Sequence, residues 1–559
     1  MSFGGFVLCI SVTWCLIYLI HYRYNNKKAQ GSLLPSQPQR HAGPILTRGS
    51  TQISLTGVHL RVSTTYFNAL HDTFAGAIAK RKHSTSRNLI SGLYTAGSVL
   101  SIIGALLAIG VLLWTWATLI SNFITPLIAQ PHANASSSLN GLVRRAFDDA
   151  GSQVAPSGKS SGSLPLNITP IIPGVTVPMT HFPLLLIAVF VSQVLHEAGH
   201  AIAGAIESLP MTSCGAYLLL FIPAAFVSFS QTGFKNLNAS ARLRITAAGP
   251  FHNLLLWWFL AVFAMTPLPG LLGFFTGYKT LNGEGVVVVG IAETSPLSSH
   301  IPTGAIIRAI DDDPVSSELT WTQRLIIDEP NITEGWCIDV SALGGSNTCC
   351  TPSKSTTDPT VCFTSIDNAV QGCLDPINVM TGEESADKRC KSSSTCGAGS
   401  VCSLPNPKET LTRIVFQSVG VERDTTILWK GPRDEIWEEV QVSDWIPRVS
   451  FLPLWAPQLI GTFWNYLTMA TLSLFFFNLL PIPHLDGQEL MESALEVAFS
   501  LQNDAFIYDI EALETGDGAH ETTRRRRRIK DKLSKGISYG TLGVFLSCIP
   551  LVAINLMKK

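Results

Sequence analysis

Long apolar segments dominate the hydrophobic pattern of the 559-residue chain. A helix needs about 20 predominantly apolar residues to cross a bilayer. Segments of roughly this length lie at 3 to 21, 89 to 120, 183 to 206, 245 to 276, 459 to 480 and 537 to 556. The pattern therefore predicts a polytopic α-helical membrane protein with about six transmembrane helices.

The composition agrees with this fold class. Only 14% of the residues are charged, against about 25% in ordinary soluble proteins. Lys and Arg number 39 and Asp and Glu 40, for a formal net charge of -1. This balance excludes a general nucleic-acid-binding surface and leaves only local charge asymmetries to interpret.

Three apolar segments need separate interpretation. Residues 1 to 21 have no small-residue cleavage site and run into Arg23, so they are predicted to be an uncleaved membrane anchor. The segment 89 to 120 has 32 residues, and a bent hairpin there would place the N-terminus in the cytosol. The stretch from Cys214 to Ser230 is short and contains Pro223, which indicates a re-entrant segment or hairpin.

Basic residues predict the topology. The loop 22 to 88 carries ten Lys or Arg and a single acid, Asp72, which is typical of a cytosolic loop. The loop 501 to 536 contains the run Arg524 to Arg528 and is predicted to be cytosolic too, before a last span in 537 to 559. The run is a topological and solvated feature in this interpretation, with anionic-lipid binding as the alternative. With six spans, the segments 121 to 182 and 277 to 458 are then luminal. Both contain N-glycosylation sequons, at Asn134, Asn167 and Asn331.

Eight of the twelve cysteines fall between Cys337 and Cys402. The surrounding segment is rich in Gly, Ser and Thr and has no Cys-x-x-Cys spacing, which favours disulfides over a zinc site and indicates an oxidising compartment. This Cys-rich segment, 330 to 405, would be an insertion in a luminal PDZ-like β-rich domain at 277 to 458. The strand and turn pattern after Gly285 is typical of half a PDZ domain, and Leu411 to Trp429 could complete it. A generic small β domain is the alternative.

Candidate chemistry begins in the third apolar segment, which contains His196, Glu197 and His200 in a His-Glu-x-x-His pattern. On a helix the two histidines share one face and can bind one metal ion, with Glu197 beside the metal-bound water. Ionisable residues in a membrane helix cost about 2.5 to 3.5 kcal/mol each and need a compensating partner. A polar patch bonded to neighbouring helices is the alternative.

A catalytic zinc usually has three protein ligands, so a third ligand is expected elsewhere. Asp486 ends the fifth apolar segment and is the candidate, with His484 as a rival. Alone, Asp486 could equally be the N-cap of a following helix that starts at Gln488. At the start of the fourth segment, Asn253 carries an amide that could bond the unpaired backbone groups of an extended substrate.

These motifs resemble the site-2 protease family of intramembrane zinc metalloproteases. The matching residues are His196-Glu197-x-x-His200, Gly249-Pro250-x-x-Asn253 and Asn478-x-x-Pro481-x-x-x-Leu485-Asp486-Gly487. The resemblance covers a catalytic membrane core at 183 to 276 and the membrane helix with its Leu-Asp-Gly motif at 459 to 500. It implies Zn²⁺ held by His196, His200 and Asp486, with Glu197 as general base. It also implies that Asn253, Gly249, Pro250 and Asn478 contribute to substrate binding.

The resemblance further implies cleavage of single-pass membrane proteins already cut on the luminal side, such as precursors of membrane-tethered transcription factors. The expected location is the endoplasmic reticulum or Golgi membrane, with the active site near the cytosolic face and a product released to the cytosol. The partners would be these substrates and the lipid bilayer, with no nucleic acid. Two alternatives stay open: a zinc transporter, which has no need of Glu197, and a catalytically silent membrane scaffold, which would tolerate the loss of a ligand.

Overall fold

The computed structural model describes most of the chain. The described residues are 3–29, 45–48, 50–80, 85–128, 179–328, 332–343, 360–366, 370–381, 388–406, 410–421, 423–506 and 518–558. The three predicted sequons lie outside them, as do Cys349 and Cys350. The chain forms two compact units: unit 1 comprises Met1–Val262 and Phe463–Lys559, and unit 2 comprises Phe263–Thr462.

The helices of the described residues are, in chain order, α1 (Phe3–Ala29), α2 (Asn68–Lys80), α3 (Thr85–Ile128), α4 (Phe182–Ile206), α5 (Gln231–Lys235), α6 (Ala239–Met265), α7 (Leu268–Phe275), α8 (Glu318–Thr322), α9 (Pro376–Met380), α10 (Arg433–Glu439), α11 (Ala456–Leu479), α12 (Asp486–Phe506) and α13 (Gly518–Lys558). Single turns of other helix types occur at Met179–His181, Pro296–Ser299, Ser393–Thr395 and, as a π-helix, Gln323–Ile327.

Five helical segments among the described residues are long and apolar enough to cross a membrane. They are Asn88–Ile124, Met179–Ile206, Ala239–Met265, Ala456–Leu479 and Arg528–Ile554. The chain is thus a membrane protein with several helical spans. The predicted segment 3 to 21 is part of helix α1 but is not among the five, so a count of six stays a prediction. Helix α3 is continuous over 44 residues, so the bent hairpin considered for 89 to 120 is wrong.

Two element boundaries differ from the prediction. The fourth apolar segment, 245 to 276, is divided, because α6 ends at Met265 and the separate helix α7 begins at Leu268. Pro267 and Pro269 explain the break, since proline removes a backbone donor and clashes with the preceding turn. The arginine run, predicted to lie in a loop, belongs to the backbone of α13, which begins at Gly518. Arginine is a good helix former, so a run of it does not interrupt a helix.

Unit 1 contains a five-stranded antiparallel sheet that the sequence did not reveal. Its strands lie side by side in chain order: β1 (Ile45–Arg48), β2 (Thr51–Thr56), β3 (His59–Thr64), β4 (Met211–Leu219) and β5 (Ile222–Phe229). The first three belong to the predicted basic loop, and β3 pairs with β4 from Thr64 opposite Cys214. The hairpin predicted for 214 to 230 is confirmed as β4 and β5, and β5 is an edge strand.

Helix α1 contacts the tips of this sheet. The indole Nε1 of Trp14 donates to the carbonyl of Leu220, between β4 and β5, at 2.6 Å. The hydroxyl of Tyr18 donates to the carbonyl of Gly57, between β2 and β3, at 2.8 Å. Carbonyl groups at a hairpin tip have no ladder partner, and an unpaired one is costly away from water. Helix α1 therefore satisfies polar backbone where two hairpins turn.

Unit 2 contains the predicted β-rich domain as two larger sheets. The first has the order β16 (Asp424–Lys430), β15 (Leu411–Gln417), β8 (Ile306–Ile310), β7 (Val286–Ile291) and β17 (Val440–Ser443), with β9 (Asp313–Pro314) paired to β8. The run from Leu411 to Trp429 thus does share a sheet with the strands after Gly285. The fold class is confirmed as a membrane protein with a β domain, and its PDZ-like identity stays a prediction.

The Cys-rich insertion forms the second sheet. Its order is β12 (Gln371–Leu374), β11 (Val361–Ser365), β14 (Ser400–Pro405), β10 (Gly335–Asp339) and β13 (Arg389–Cys390). Disulfides join Cys337 to Cys396 and Cys390 to Cys402, and Cys362 and Cys373 are also disulfide-bonded. The sulfur atoms of Cys337, Cys390 and Cys396 lie close together. They are oxidised, so this cluster is not a thiolate metal site. The last pair of strands in unit 2 is β6 (Tyr278–Thr280) with β18 (Trp445–Pro447).

Candidate metal centre

Helix α4 presents two imidazoles to one point. His196 and His200 are four residues apart, which places them one above the other on a helix. Their Nε2 atoms are 3.1 Å apart, and both residues belong to the packed interior of unit 1, where His196 is only 4% exposed. The two histidines of the His-Glu-x-x-His motif therefore share one face of the helix, as predicted, and this face lies in the interior of unit 1.

Asp486 reaches the same point from the other end of the chain. Its carboxylate Oδ2 lies 2.8 Å from Nε2 of His196 and 3.3 Å from Nε2 of His200. The residue is the first of helix α12, after the short turn that follows α11. Gly487 permits this turn, because a Cβ there would lie 2.3 Å from the carbonyl oxygen of Leu480. His484, the rival ligand, is exposed, with a backbone φ of 74°, and does not join the group.

The outer nitrogen of His200 shows which of its ring atoms faces the other two side chains. His200 Nδ1 lies 2.8 Å from the carbonyl oxygen of Ile245, and a carbonyl oxygen can only accept, so Nδ1 carries the proton. In neutral His200 the Nε2 atom then carries a lone pair and no proton. It faces the carboxylate of Asp486 and Nε2 of His196, which also contact each other. Three electron-rich atoms at such distances need a proton or a cation among them.

This donor set fits a zinc ion. Zinc binds imidazole nitrogen at about 2.0 to 2.1 Å and carboxylate oxygen at about 2.0 to 2.2 Å, so tetrahedral ligands lie about 3.3 Å apart. The three separations here are 2.8, 3.1 and 3.3 Å. Gly249 of α6 leaves room, because a Cβ at this position would lie 2.3 Å from His200 Nε2 and 2.6 Å from His196 Nε2. A side chain at 249 would fill the space between His196, His200 and Asp486.

Glu197 contacts the edge strand of the five-stranded sheet. Its Oε2 accepts a hydrogen bond from the backbone N–H of Val227 in β5 at 2.9 Å. One turn earlier on α4, Oε1 of Gln193 accepts from the N–H of Ala225 at 3.3 Å. The carboxylate predicted to be the general base is therefore held by β5 through its Oε2 atom.

The residues predicted to bind substrate occupy different surroundings. Asn253 is fully buried and its Nδ2 lies 3.1 Å from Nδ1 of His196. Gly249 faces the histidines, and Pro250 is buried next to it within α6. Asn478 is half-buried near the end of α11. For all four, a substrate-binding role stays a prediction, but Asn253 and Gly249 directly support the histidine pair.

Several supporting residues escaped the sequence analysis. Gln193 lies four residues before Glu197, which is a spacing that could have suggested a shared partner. Ser192 on α4 is hydrogen-bonded to Thr471 on α11 at 2.8 Å, and both hydroxyls are fully buried. This contact fixes α4 against the helix that leads to Asp486. Nothing in a local pattern predicts such a pairing, since the two residues are 279 positions apart.

The fold and this group of side chains define a membrane protein whose helical part brings together two histidines and an aspartate that could hold a metal ion. Residues 184–510 match the family model described as Peptidase family M50. This match covers more than half of the chain, and the chain belongs to that family, the site-2 protease family.

A curated relative supports the same assignment. The chain is 24% identical, over 374 residues, to a protein of Arabidopsis thaliana described as "Membrane-bound transcription factor site-2 protease homolog". The alignment covers 58% of this chain and 72% of the relative. The resemblance seen in the three sequence motifs is thus confirmed at the level of the family, and the chain is a membrane-embedded metalloprotease by family.

Proposed function

We propose that the protein is an intramembrane zinc metalloprotease that hydrolyses a peptide bond within or near the membrane span of a single-pass protein. The observation that carries this proposal is that His196, His200 and Asp486 bring one possible metal-ligand atom each to the same point. Gly249 keeps the space between them clear. A scaffold would have no need for a glycine that keeps this space clear.

In this proposal His196, His200 and Asp486 hold zinc. When bound, the ion supplies Lewis-acid polarisation of the scissile carbonyl and of water. Glu197 accepts a proton from the attacking water as the water oxygen bonds to the scissile carbonyl carbon. Glu197 then delivers this proton to the amide nitrogen as the C–N bond breaks. The hydrogen bond from Val227 holds the carboxylate in place for both transfers.

Substrate binding is proposed to involve the edge strand β5. An extended peptide can add to a sheet edge by backbone hydrogen bonds, and none of the described residues forms a strand on the outer side of β5. Its outward N–H groups at Ala225 and Val227 are already bonded to Gln193 and Glu197. A peptide that pairs with β5 at this register competes with Gln193 and Glu197 for these N–H groups. The addition of a substrate strand therefore affects the position of the Glu197 carboxylate.

The proposed substrates are precursors of membrane-tethered transcription factors, already cut on the luminal side. This proposal follows from the motif resemblance and from the Arabidopsis thaliana relative, which is described as a membrane-bound transcription factor site-2 protease homolog. The proposed location is the endoplasmic reticulum or Golgi membrane, with the active site near the cytosolic face. The test is cleavage of a candidate single-pass substrate, with and without its luminal domain, by the purified protein in lipid nanodiscs.

The deciding variant is Glu197→Gln, which keeps size and polarity but removes the base. Proteolysis is expected to fall by about 10² to 10⁴, with zinc content unchanged. Glu489→Gln is the matched control, since Glu489 is an exposed carboxylate three residues after Asp486. Normal turnover by Glu197→Gln would refute the protease mechanism. A zinc flux across vesicles that persists in this variant would then favour the zinc transporter.

A further inference from the structure

An exposed apolar face in unit 2 has no role in the proposed chemistry. It is made by helix α7 and by the segment just before α11. None of the residues of α7 is buried. Phe275 is 75% exposed and Phe451 is 81% exposed. We call the set the α7 face; it comprises Leu271, Leu272, Phe274, Phe275, Phe451 and Trp455.

The two parts of the α7 face are held together as one surface. Strands β6 and β18 pair between them. The N–H of Arg448 donates to the carbonyl of Gly277 at 2.8 Å, and the hydroxyl of Tyr278 donates to the carbonyl of Pro453 at 2.9 Å. Gly273 lets α7 lie directly on Trp445, because a Cβ at 273 would be 2.0 Å from that ring. The apolar side chains are therefore displayed by a defined structure.

The chain positions of this face place it beside the bilayer. Helix α6 spans the membrane and ends at Met265, and α7 begins three positions later, which is at most about 11 Å of chain. Phe451 precedes the start of the spanning helix α11 by five positions, or at most about 18 Å. Both parts of the face are thus tethered within reach of a membrane surface.

The charge of these segments also fits lipid. Residues 263–280 and 445–462 contain no Asp or Glu, and their basic residues are Lys279 and Arg448. The guanidinium of Arg448 lies 3.9 Å from the ring centre of Phe274. Aromatic rings with cations at their margin are typical of surfaces that sit at the level of lipid headgroups. A surface exposed to water usually carries both acidic and basic residues.

We propose that the α7 face is immersed in the interfacial layer of the bilayer and binds phospholipid, so that unit 2 contacts the membrane through its own side chains. This proposal is independent of the proteolytic activity. It explains why a defined structure holds large apolar side chains next to the ends of α6 and α11. A flexible linker would be enough if these segments only connected unit 2 to the membrane helices.

The test uses the full-length protein in nanodiscs that contain a phosphatidylcholine with a photoreactive diazirine near its headgroup. After illumination, lipid adducts are mapped by mass spectrometry. Adducts are expected in residues 268–275 and 449–455, on the order of tenfold above those around Ile377. Ile377 of α9 is the matched control, since it is a 56% exposed aliphatic residue beside the carboxylate of Asp375.

A reciprocal experiment places the photoreactive residue benzoylphenylalanine at position 275, 451 or 377. Crosslinks to phospholipid are expected from the first two positions and not from the third. Equal labelling at all three positions would overturn the proposal. Crosslinks from 275 or 451 to a second copy of the chain, in place of lipid, would also overturn it and would identify the face as a protein interface.

Discussion

Asn253 offers the sharpest test of how the metal centre is built. Its amide is fully buried against Nδ1 of His196, and its Oδ1 has no partner among the described residues. If Nδ2 donates to Nδ1, the proton of His196 must lie on Nε2, where it blocks a metal. Exchanging the two amide atoms lets Oδ1 accept from Nδ1–H, which satisfies the orphaned oxygen and frees Nε2 as a ligand. We expect this second arrangement when metal is bound.

Replacing Asn253 by Ala removes that acceptor and leaves the Nδ1–H of His196 buried and unpaired. An unsatisfied buried donor costs about 1 to 3 kcal/mol, which corresponds to about 5- to 150-fold weaker zinc binding at 1.4 kcal/mol per tenfold. Competition with a chromophoric chelator measures this directly. Asn253→Asp retains an oxygen acceptor and should restore most of the affinity.

The two roles of Asn253 give different results. A residue that orients His196 changes zinc affinity, whereas one that only binds substrate raises KM and leaves zinc affinity unchanged. Wild-type zinc affinity in Asn253→Ala, together with a raised KM, would refute the orienting role and support the substrate-binding prediction made from the sequence.

Three further changes test other parts of the structure. Asp486→Ala should lose most bound zinc in elemental analysis of the purified protein; unchanged content would return the third-ligand role to His484. Gln193→Leu should leave zinc content unchanged and lower KM for a cleavable peptide, because the N–H of Ala225 becomes available; an unchanged KM would argue against β-addition at this register. Burial raises the pKa of Asp444, and burial together with the nearby Asp444 charge raises the pKa of Glu318. Because the pKa of Asp444 is raised in the folded protein, the contribution of Asp444 to the free energy of unfolding falls as the pH rises through that pKa. Asp444→Asn keeps the acceptor for the N–H of Glu318 and should raise the melting temperature at pH 7 but not near pH 3; an equal gain at both values would contradict this explanation.

The sequence was most informative where chemistry is encoded in local spacing. The four-residue separation of His196 and His200 fixes their common face whatever surrounds the helix. The sequence indicated Asp486 as a third metal ligand because a lone carboxylate ends an apolar segment. Only the structure distinguished Asp486 from His484 for this role. The hairpin at 214 to 230 was also readable, since Pro223 and a length below a full span argue against a transmembrane helix.

Long-range pairing explains most of what the sequence did not reveal. Strand β3 pairs with β4 across roughly 150 positions, as in the register of Thr64 with Cys214, and no local pattern specifies that partner. The positive charges around β1 to β3 dominated the interpretation of this loop. Likewise the sequence places the Asn253 amide in an apolar segment where it needs a partner, and only the packing of α6 on α4 shows that this partner is His196.

The position of Glu197, the predicted general base, follows from the similar spacing of residues along helix α4 and strand β5. Four residues of helix rise about 6.0 Å, and two residues of strand about 6.6 Å. Gln193 and Glu197 can therefore bond alternate N–H groups of β5 at once, and they do. Strand β5 is fixed by β4, which is fixed in turn by β3 from the basic loop. The carboxylate of Glu197 is thus positioned through residues more than 130 positions earlier in the chain. The basic loop therefore has a physical part in the proposed catalysis, in addition to its predicted part in topology.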